Sequence, residues 1–457
     1  MDRSLTKTSM RGNETLGKEP INEVKPFIGF HYNRNVVKDV GLCFSPPYDV
    51  ISEEELDSYY NRCEYNVTRL TLNKIMPGDD ESNNRYTRSR QLFDEWVKNG
   101  VIVKTEKPAF WAYELSFELP DVGRRKIDGF VGIVRLREYE EGRVLPHEKV
   151  LRKPLEDRIR LILTTRMQFE FIWGLFDDAD MVPDRIIEEH KRETPFIDYY
   201  ERENDVTHRL WLIDDADETM AIENLFKSRK IYIADGHHRY QSMLEVRDKM
   251  REMHPDAGPD APWEYIVMLL VNVRDEGLTV LPTHRLLHNL EEARLSSLVK
   301  DLGEFFRVTP IDDRDKWVNG IKSYLPGEHR FGLYLGKGRY YLLSLRDEKK
   351  YEELLGVEAS RNWKMLDVNV LNTVILKQVL GLTEEDMAAQ RYVQYTKDID
   401  DAVDAVDNRG MQAALILNAP GVEDIIKIAD AGEKMPRKAT YFYPKPMSGF
   451  VFYSIRE

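Results

Sequence analysis

Apolar positions along the chain switch repeatedly between the alternation typical of a strand and the three- to four-residue repeat typical of a helix. Phe110 to Leu119 alternates like a half-buried strand, and Ile127 to Leu136 supplies a partner across a turn at Gly123. Arg85 to Asn99 carries its large apolar residues on one side, which predicts a helix that stops at Gly100. Helices and strands therefore already mix within the first third of the chain.

Shorter signals mark further elements. Ser52 with Glu55 forms a capping box that predicts a short helix through Tyr60. Asn66 to Leu70 resembles a strand with one polar face. Leu366 to Leu380 has the pattern of an amphipathic helix.

The order of these elements sets the fold class that we expect. Past about Asn289 the pattern restarts, and Arg330 to Leu335 with Tyr340 to Leu345 predicts a hairpin around Gly336-Lys337-Gly338. The mixed order and the hairpins favour an α+β (mixed α/β) architecture over a doubly wound sheet. A chain of 457 residues is too long for one compact core. We therefore divide it into a flexible leader at 1–25, a first region at 26–290 and a C-terminal α/β domain at 291–457.

Composition limits the partners and the compartment. A net charge of -14 makes nucleic acid an unexpected partner, because a nucleic-acid coat needs an excess of basic residues. Only Cys43 and Cys63 are present, without the spacing of a metal site or a disulfide framework, so a reducing compartment fits best. The N-terminus lacks the apolar run of a signal peptide, and no apolar stretch approaches the roughly 20 residues that cross a bilayer. We expect a cytoplasmic protein without a membrane partner.

The strongest chemical signal is Asp235-Gly236-His237-His238-Arg239, which follows a short buried strand at Ile231 and opens a helix that runs to about Met253. A glycine permits a sharp turn, and the start of a helix attracts an anion. The two histidines and the arginine add donors at the same place, and arginine can grip phosphate through two parallel bonds. Asp235 would repel bare phosphate, so a metal ion or a substrate hydroxyl or amine suits it better. The alternative is a structural turn whose histidines lie in a polar interface.

A second signal is Pro146-His147-Glu148. It is not the signature of a zinc protease, because no histidine follows four residues after His147. Glu148 could act as a general base toward an alcohol that lies within hydrogen-bonding reach. The alternative is a solvated loop carboxylate, with Arg158 and Arg166 as surface charge.

Weaker signals lie elsewhere in the chain. Tyr48-Asp49 is a polar pair placed rigidly by two prolines, although turn structure explains it equally well. Lys434 to Lys445 combines basic and aromatic residues, which could contact nucleic acid or form a strand packed on the domain.

Taken together, these motifs resemble those of a widespread family of formerly unknown function, and the Asp-Gly-His-His-Arg turn is similar to that of the ParB/sulfiredoxin-like fold, which includes free serine kinases. The shared motifs run in order along the chain from Pro26 to Tyr453. They are Pro46-Pro47-Tyr48-Asp49-Val50-Ile51, His147-Glu148, Asp157-Arg158, Ala234-Asp235-Gly236-His237-His238-Arg239-Tyr240, Leu281-Pro282-Thr283-His284-Arg285, Met435-Pro436, Lys438 and Thr440-Tyr441-Phe442-Tyr443-Pro444-Lys445.

The resemblance implies a ParB/sulfiredoxin-like catalytic domain at 26–290 and an activity. Such kinases phosphorylate free L-serine to O-phospho-L-serine, using ADP or, in longer relatives, inorganic pyrophosphate. It implies that Glu148 activates the serine hydroxyl, with His147 and Asp235 as further catalytic residues. The implied phosphate-binding residues are Gly236, His237, His238, Arg239 and Arg158. Phosphotransfer also implies Mg²⁺, with Asp235 as its ligand.

Two positions depart from the family pattern, and two other functions remain open. Val150 stands where the family usually has threonine, and Lys153 stands where glycine is common. The first alternative is a ParB-like regulatory protein that binds a nucleotide and hydrolyses it slowly. The second is a non-catalytic module that binds a macromolecule through its basic, aromatic C-terminal segment.

Overall fold

The computed structural model describes residues 21–119, 123–148, 150, 152–325 and 327–456, with the side chain of Lys153 left out. The first part of the predicted leader, 1–20, lies outside the described residues. Val24–Lys25 already forms a strand, so the chain joins the fold before residue 26. Helices and sheets are mixed throughout, which confirms the α+β class.

The α-helices occur in both halves of the described chain. They are α1 Glu53–Arg62, α2 Thr68–Thr71, α3 Arg85–Lys98, α4 Arg152–Thr165, α5 Val182–His190, α6 Ala216–Phe226, α7 His237–Met253, α8 Glu292–Leu302, α9 Arg314–Lys322, α10 Glu348–Leu355, α11 Arg361–Lys364, α12 Asp367–Val370, α13 Glu384–Ala388, α14 Ile399–Asn408 and α15 Val422–Asp430.

The strands are equally distributed along the chain. They are β1 Val24–Lys25, β2 Phe30–Tyr32, β3 Ile102–Lys104, β4 Phe110–Leu119, β5 Gly123–Arg135, β6 Val144–Leu145, β7 Met167–Gln168, β8 Ile172–Phe176, β9 Ile197–Glu201, β10 Val206–Ile213, β11 Ile231–Asp235, β12 Tyr265–Asn272, β13 Thr279–Leu281, β14 His284–Leu287, β15 Phe306–Ile311, β16 Arg330–Tyr334, β17 Tyr340–Leu345, β18 Val393–Thr396, β19 Ala413–Ile416, β20 Tyr441–Tyr443 and β21 Tyr453–Ser454.

A nine-stranded sheet organises the first region, in the order β6-β11-β8-β12-β5-β4-β10-β9, with β1 paired to the end of β5. β12 is buried at every position and apolar up to Asn272 at its end, as expected for a central strand covered on both faces. Two pairs, β6 with β11 and β8 with β12, are parallel, and the others are antiparallel. β11 therefore lies near one edge of the sheet, where its C-terminal end is followed directly by α7.

A second sheet has six strands in the order β15-β17-β16-β19-β14-β18. β14 lies before residue 290 but belongs to this sheet, while β20 pairs with β13 and β21 pairs with β7. The chain therefore crosses into the second sheet early and returns at its C-terminal end. The domain division at residue 290 stays a prediction.

Local predictions were confirmed where the signal was a cap or a turn. Ser52 and Glu55 form the capping box of α1, and β16 and β17 form the expected hairpin. The strand predicted at Asn66 to Leu70 was wrong, because the Asn66 side chain accepts the N–H of Thr68 at 3.0 Å and starts α2 instead. The helix predicted at Leu366 to Leu380 continues α12 as a π-helix over Leu371–Val379.

Crossing a bilayer as a helix takes a long apolar segment, and the described part of the chain contains no such helix.

The centre of the large sheet yields a stability prediction at Gly129 of β5. A methyl group built on Gly129 would lie 2.7 Å from the carbonyl oxygen of Leu270 and 2.8 Å from a methyl carbon of Val271. We expect Gly129→Ala to lower the free energy of unfolding by about 1–3 kcal/mol through overpacking. The matched control is Gly258→Ala, in an exposed loop where a methyl group meets no atom within 4 Å. Equal thermal midpoints for the two variants would contradict this account of the packing.

Candidate active site

The Asp-Gly-His-His-Arg motif lies where β11 ends and α7 begins. Its glycine, Gly236, has a φ of 93°, which favours glycine over residues with a side chain. A Cβ at Gly236 would also lie 3.0 Å from the Arg239 guanidinium, so the turn needs glycine for space as well. The pairing of β11 with β8 shifts register between Ile233 and Asp235, and this irregularity re-aims the strand just before the turn. The N–H groups of the first turn of α7 have no carbonyl partner within the helix and can attract an anion.

Asp235 is the electrostatic centre of this turn. Its two carboxylate oxygens accept from different cations: Arg239 donates to Oδ2 at 2.9 Å, and Lys445 donates to Oδ1. Burial would raise the pKa of Asp235, but Lys445 and Arg239 outweigh it and hold the pKa below its ordinary value. Asp235 is therefore ionised and serves as the counter-charge of two cations.

Arg239 is anchored inside the protein. It donates to Asp235 and, at 2.8 Å, to the carbonyl oxygen of Phe171, and its side chain is 8% exposed. Burial would lower its pKa, but Glu170 and Asp235 outweigh burial and raise it. The guanidinium is thus a fixed positive charge directly beneath the turn.

His147 and His237 form a pair of neutral rings. The Nδ1–H of His147 donates to the Ile233 carbonyl at 2.7 Å, and its backbone N–H donates to Nε2 of His237 at 3.2 Å. The ring centroids lie 4.5 Å apart, at right angles. Burial lowers the pKa of His147 to about 4 and that of His237 well below its ordinary value. Since Nε2 of His237 accepts a hydrogen bond, its proton is on Nδ1.

Glu148 lies opposite that proton. Its Oε2 is 3.6 Å from Nδ1 of His237, slightly longer than a hydrogen bond. Its side chain is 36% exposed, so solvent reaches the carboxyl group. The surrounding protein raises the pKa of Glu148 to about 7, first through burial and then through repulsion from Asp235, with Lys445 and Lys438 opposing. Such a carboxyl group exchanges protons near neutral pH, as a general base must.

The C-terminal segment, residues 434–445, holds the His147 loop against the turn. Met435 donates its N–H to the His147 carbonyl at 2.6 Å, and Lys434 donates to the Pro146 carbonyl at 3.0 Å. The Thr440 hydroxyl donates to Nε2 of His147 at 3.2 Å, because the proton of that ring is on Nδ1. Tyr441–Tyr443 forms β20, which confirms the alternative that the segment packs as a strand.

Tyr48-Asp49 approaches the turn from another side. The Tyr48 N–H donates to Oε1 of Glu170 at 2.9 Å, and its ring lies 4.0 Å from the Arg158 guanidinium. Burial lowers the pKa of His238, and the negative charge of nearby Asp49 partly opposes this effect. The polar pair that the prolines position thus belongs to the site.

Arg158 supports this arrangement from below. Its side chain is only 2% exposed, and it donates to Asp157 and, at 2.9 Å, to the Thr71 carbonyl. Its Nη1 lies 3.7 Å from Glu170. The surface position considered for Arg158 was wrong. Its phosphate-binding role stays a prediction, since in this arrangement the guanidinium contacts Tyr48 and protein acceptors.

The structure brings together the predicted residues around one turn and adds others to which the sequence assigned no role in the site. His147, Glu148, Asp235, Gly236, His237, His238 and Arg239 lie at the turn, and their catalytic and phosphate-binding roles stay predictions. Lys445, Thr440 and Glu170 were missed as site residues. The pairing of Lys445 with Asp235 spans 210 positions of sequence, which no local pattern reveals.

The contacts of Asp235 do not match its predicted role as a metal ligand. Lys445 and Arg239 already take its two oxygens, and the described residues contain no group of three or more His, Cys, Asp or Glu side chains that could hold a metal ion. This arrangement does not fit a metal ion held by the protein at Asp235. Mg²⁺ that arrives on the phosphates of a donor stays a prediction.

Comparison with known proteins gives a family and distant structural similarities. The family described as "Protein of unknown function (DUF1015)" matches residues 24–369. No curated protein matches the chain.

Three solved structures illustrate the similarities. A mutant free serine kinase in complex with AMP is 14% identical, with 70% of this chain and 90% of that chain covered and a TM-score of 0.36. A conserved hypothetical protein from Pyrococcus furiosus is 15% identical, with 71% and 94% covered and a TM-score of 0.34. SbnI with C-terminal truncation from Staphylococcus aureus is 10% identical, with 70% and 86% covered and a TM-score of 0.33.

The buried charges of the turn predict strong coupling between Asp235 and Lys445. We expect Asp235→Asn to lower the free energy of unfolding by about 3–5 kcal/mol, because it leaves two buried cations without a counter-charge. The double variant Asp235→Asn/Lys445→Met should lose about 1–3 kcal/mol less stability than the sum of the losses in the two single variants. Urea unfolding of the two single variants and the double variant measures this coupling.

The control is Asp177→Asn, which removes an exposed partner of Arg274 and should cost at most about 1 kcal/mol. Additive effects of the Asp235 and Lys445 substitutions would show that the buried pair is not coupled.

Proposed function

This chain belongs to the DUF1015 family, and we propose that it is a phosphotransferase that moves a phosphoryl group from pyrophosphate or a nucleotide to the hydroxyl of free L-serine, giving O-phospho-L-serine. The observation that carries this proposal is the position of Glu148. A carboxyl group whose pKa is raised to about 7 lies beside a neutral histidine, next to the N-terminus of α7 and its buried cations. Base and anion site are thus adjacent, as transfer to an alcohol requires.

The residues of the chain supply the following roles in that reaction. Glu148 accepts the hydroxyl proton as the acceptor oxygen forms its bond to phosphorus and the bond from phosphorus to the departing phosphate or nucleotide breaks. His237 presents its Nδ1–H toward the carboxylate and keeps it oriented. The first turn of α7 and the Arg239 charge neutralise the phosphates, which is the main requirement of phosphoryl transfer.

Lys445 gives the donor site a cation that can bind Asp235 and a phosphate together. Its ammonium group binds Asp235 in this structure, and Lys445 also lowers the pKa of Glu148 against burial. An arriving phosphate can share this cation with Asp235, because an ammonium group has three donors. The identity of the acceptor rests on the sequence resemblance, whereas the base and the anion site rest on the geometry.

One assay separates this proposal from its alternatives. Phosphorus NMR with pyrophosphate, ADP or ATP, each with and without L-serine and Mg²⁺, should show a phosphomonoester signal that requires serine. Slow loss of donor without serine would favour the ParB-like nucleotide-binding protein instead. Binding of a macromolecule without any turnover would favour the non-catalytic module.

We predict that Glu148→Gln lowers kcat by about 10²–10⁴-fold, because glutamine keeps the size and polarity of glutamate but cannot accept a proton. Donor affinity, measured by calorimetry, should remain nearly unchanged. Glu106→Gln, at an exposed position, is the matched control and should retain full activity.

The same base predicts a pH dependence of the wild-type enzyme. Below its pKa of about 7, Glu148 carries a proton and cannot accept another, so kcat/KM should fall about tenfold per pH unit toward pH 5. A flat profile between pH 5 and 7, or Glu148→Gln activity within a few-fold of wild type, would remove Glu148 from the mechanism.

A second variant examines the donor site. Arg239→Lys keeps the charge but loses the planar fork, so we expect the KM for the donor to rise by about tenfold or more. Arg247→Lys is the matched control, because Arg247 is a buried arginine of the same helix that pairs with Glu138 and Asp248. If Arg239→Lys lowers the thermal midpoint as the control does and leaves the KM unchanged, the arginine is structural only.

A further inference from the structure

The two cysteines of the chain, Cys43 and Cys63, meet in the fold. Cys43 ends a short 3-10 helix at Val40–Cys43, and Cys63 follows the last residue of α1. Both are free thiols, and their sulfur atoms lie 3.5 Å apart. A spacing of 20 residues without a motif gives no sign of this contact in the sequence.

The backbone on both sides of the thiols is held in place by a buried asparagine. The Asn66 amide donates to the Leu42 carbonyl at 2.8 Å and to the Phe44 carbonyl at 3.2 Å. The N–H of Val67 donates to the Cys43 carbonyl itself at 2.8 Å. The segments that carry the two sulfurs are thus bound to each other, and thermal motion cannot separate them easily.

The two thiols differ in exposure and in acidity. Cys43 is fully buried, whereas Cys63 is only half-buried. The contact with Cys43 lowers the pKa of Cys63 to about 7 against the opposing effect of burial, and the N–H of Tyr65, which donates to the Cys63 sulfur at 3.3 Å, adds to the lowering. The bond to Cys63 and burial raise the pKa of Cys43. Cys63 is therefore the nucleophile of the pair, because only the thiolate attacks.

We propose that Cys63 and Cys43 form a redox pair in which a peroxide oxidises Cys63 and Cys43 then closes a reversible intramolecular disulfide. The Cys63 thiolate attacks one oxygen of the peroxide, the O–O bond breaks, and Cys63 becomes a sulfenic acid while hydroxide or an alkoxide leaves. The Cys43 sulfur then attacks the sulfenic sulfur, and the sulfenic oxygen leaves as water with the thiol proton. The peroxide gains the two electrons that the two thiols lose.

The geometry needs little adjustment for this bond. A disulfide bond is about 2.05 Å long, so the sulfurs must approach by roughly 1.5 Å, which side-chain rotation and a small backbone shift can supply. In a reducing compartment such a disulfide is transient and acts as a sensor rather than as a structural link.

The disulfide would tie α1 to the segment that leads into the candidate active site. Phe44 follows Cys43 and packs on Phe450 with ring centroids 4.6 Å apart, and Tyr48 lies four positions further along and binds Glu170. Neither chemical step uses a residue of the candidate active site. The pair can therefore be examined independently of the phosphotransferase proposal.

The experiment treats the reduced full-length protein with one equivalent of hydrogen peroxide and counts free thiols after denaturation. We expect both thiols to disappear together, the protein to remain monomeric on a non-reducing gel, and peptide mass mapping to find Cys43 linked to Cys63. Dithiothreitol should restore both thiols. One thiol that stays titratable, or links between chains, would overturn the proposal.

Single variants assign the two roles. Cys43→Ser should stop at the sulfenic acid of Cys63, which dimedone traps. In Cys63→Ser, peroxide should oxidise the remaining thiol of Cys43 at least about tenfold more slowly than it oxidises the wild-type pair, because Cys43 is buried and stays protonated. Equal rates in Cys63→Ser and wild type would contradict the assignment of Cys63 as the attacking thiol. Mapping of the wild-type link decides the pairing even where a variant folds poorly.

Discussion

The candidate site depends on the ionic contact between Lys445 and Asp235, because this contact joins the C-terminal segment to the end of β11. Asp235 ends β11 near the edge of the nine-stranded sheet, and Lys445 arrives from the opposite end of the chain after the second sheet has been built. Both charges are largely buried, so neither is stable there without the other. The same segment places Met435 and Thr440 against His147. The geometry of the candidate site is therefore a property of the complete fold and not of the turn alone.

The same contacts fix which ring nitrogen of each histidine carries the proton. Burial keeps the His147 ring neutral, and the Ile233 carbonyl, which can only accept, places its one proton on Nδ1. Nε2 of His147 then accepts from Thr440, and the backbone N–H of His147, by donating to Nε2 of His237, places the proton of His237 on Nδ1 as well. The proton on Nδ1 of His237 consequently faces Glu148. The C-terminal segment thus helps to fix the histidine whose Nδ1–H faces the carboxylate.

The sequence predicted those parts of the structure whose causes are local. The capping box at Ser52, the hairpin of β16 and β17 and the turn at Gly236 each follow from residues within a few positions of one another. Apolar spacing alone does not show the short helix α2 after Asn66, whose side chain accepts the N–H of Thr68 where the helix begins. Lys445 and the contact of the two cysteines could not be predicted, since they depend on pairings between distant segments. Residue types identified the chemistry of the turn, whereas its partners required the tertiary structure.

The two carboxylates of the site show how environment divides roles between similar groups. Asp235 and Glu148 are near enough for the charge of Asp235 to raise the pKa of Glu148. Two direct cations keep Asp235 ionised, while burial raises the pKa of Glu148 against the weaker opposing effect of Lys445 and Lys438. The ionised Asp235 thus pushes Glu148 toward the protonation range of a base that works at neutral pH. Removing the Lys445 contact would raise the pKa of both carboxyl groups. The buried ion pair that stabilises the turn therefore also sets the pKa of the proposed base.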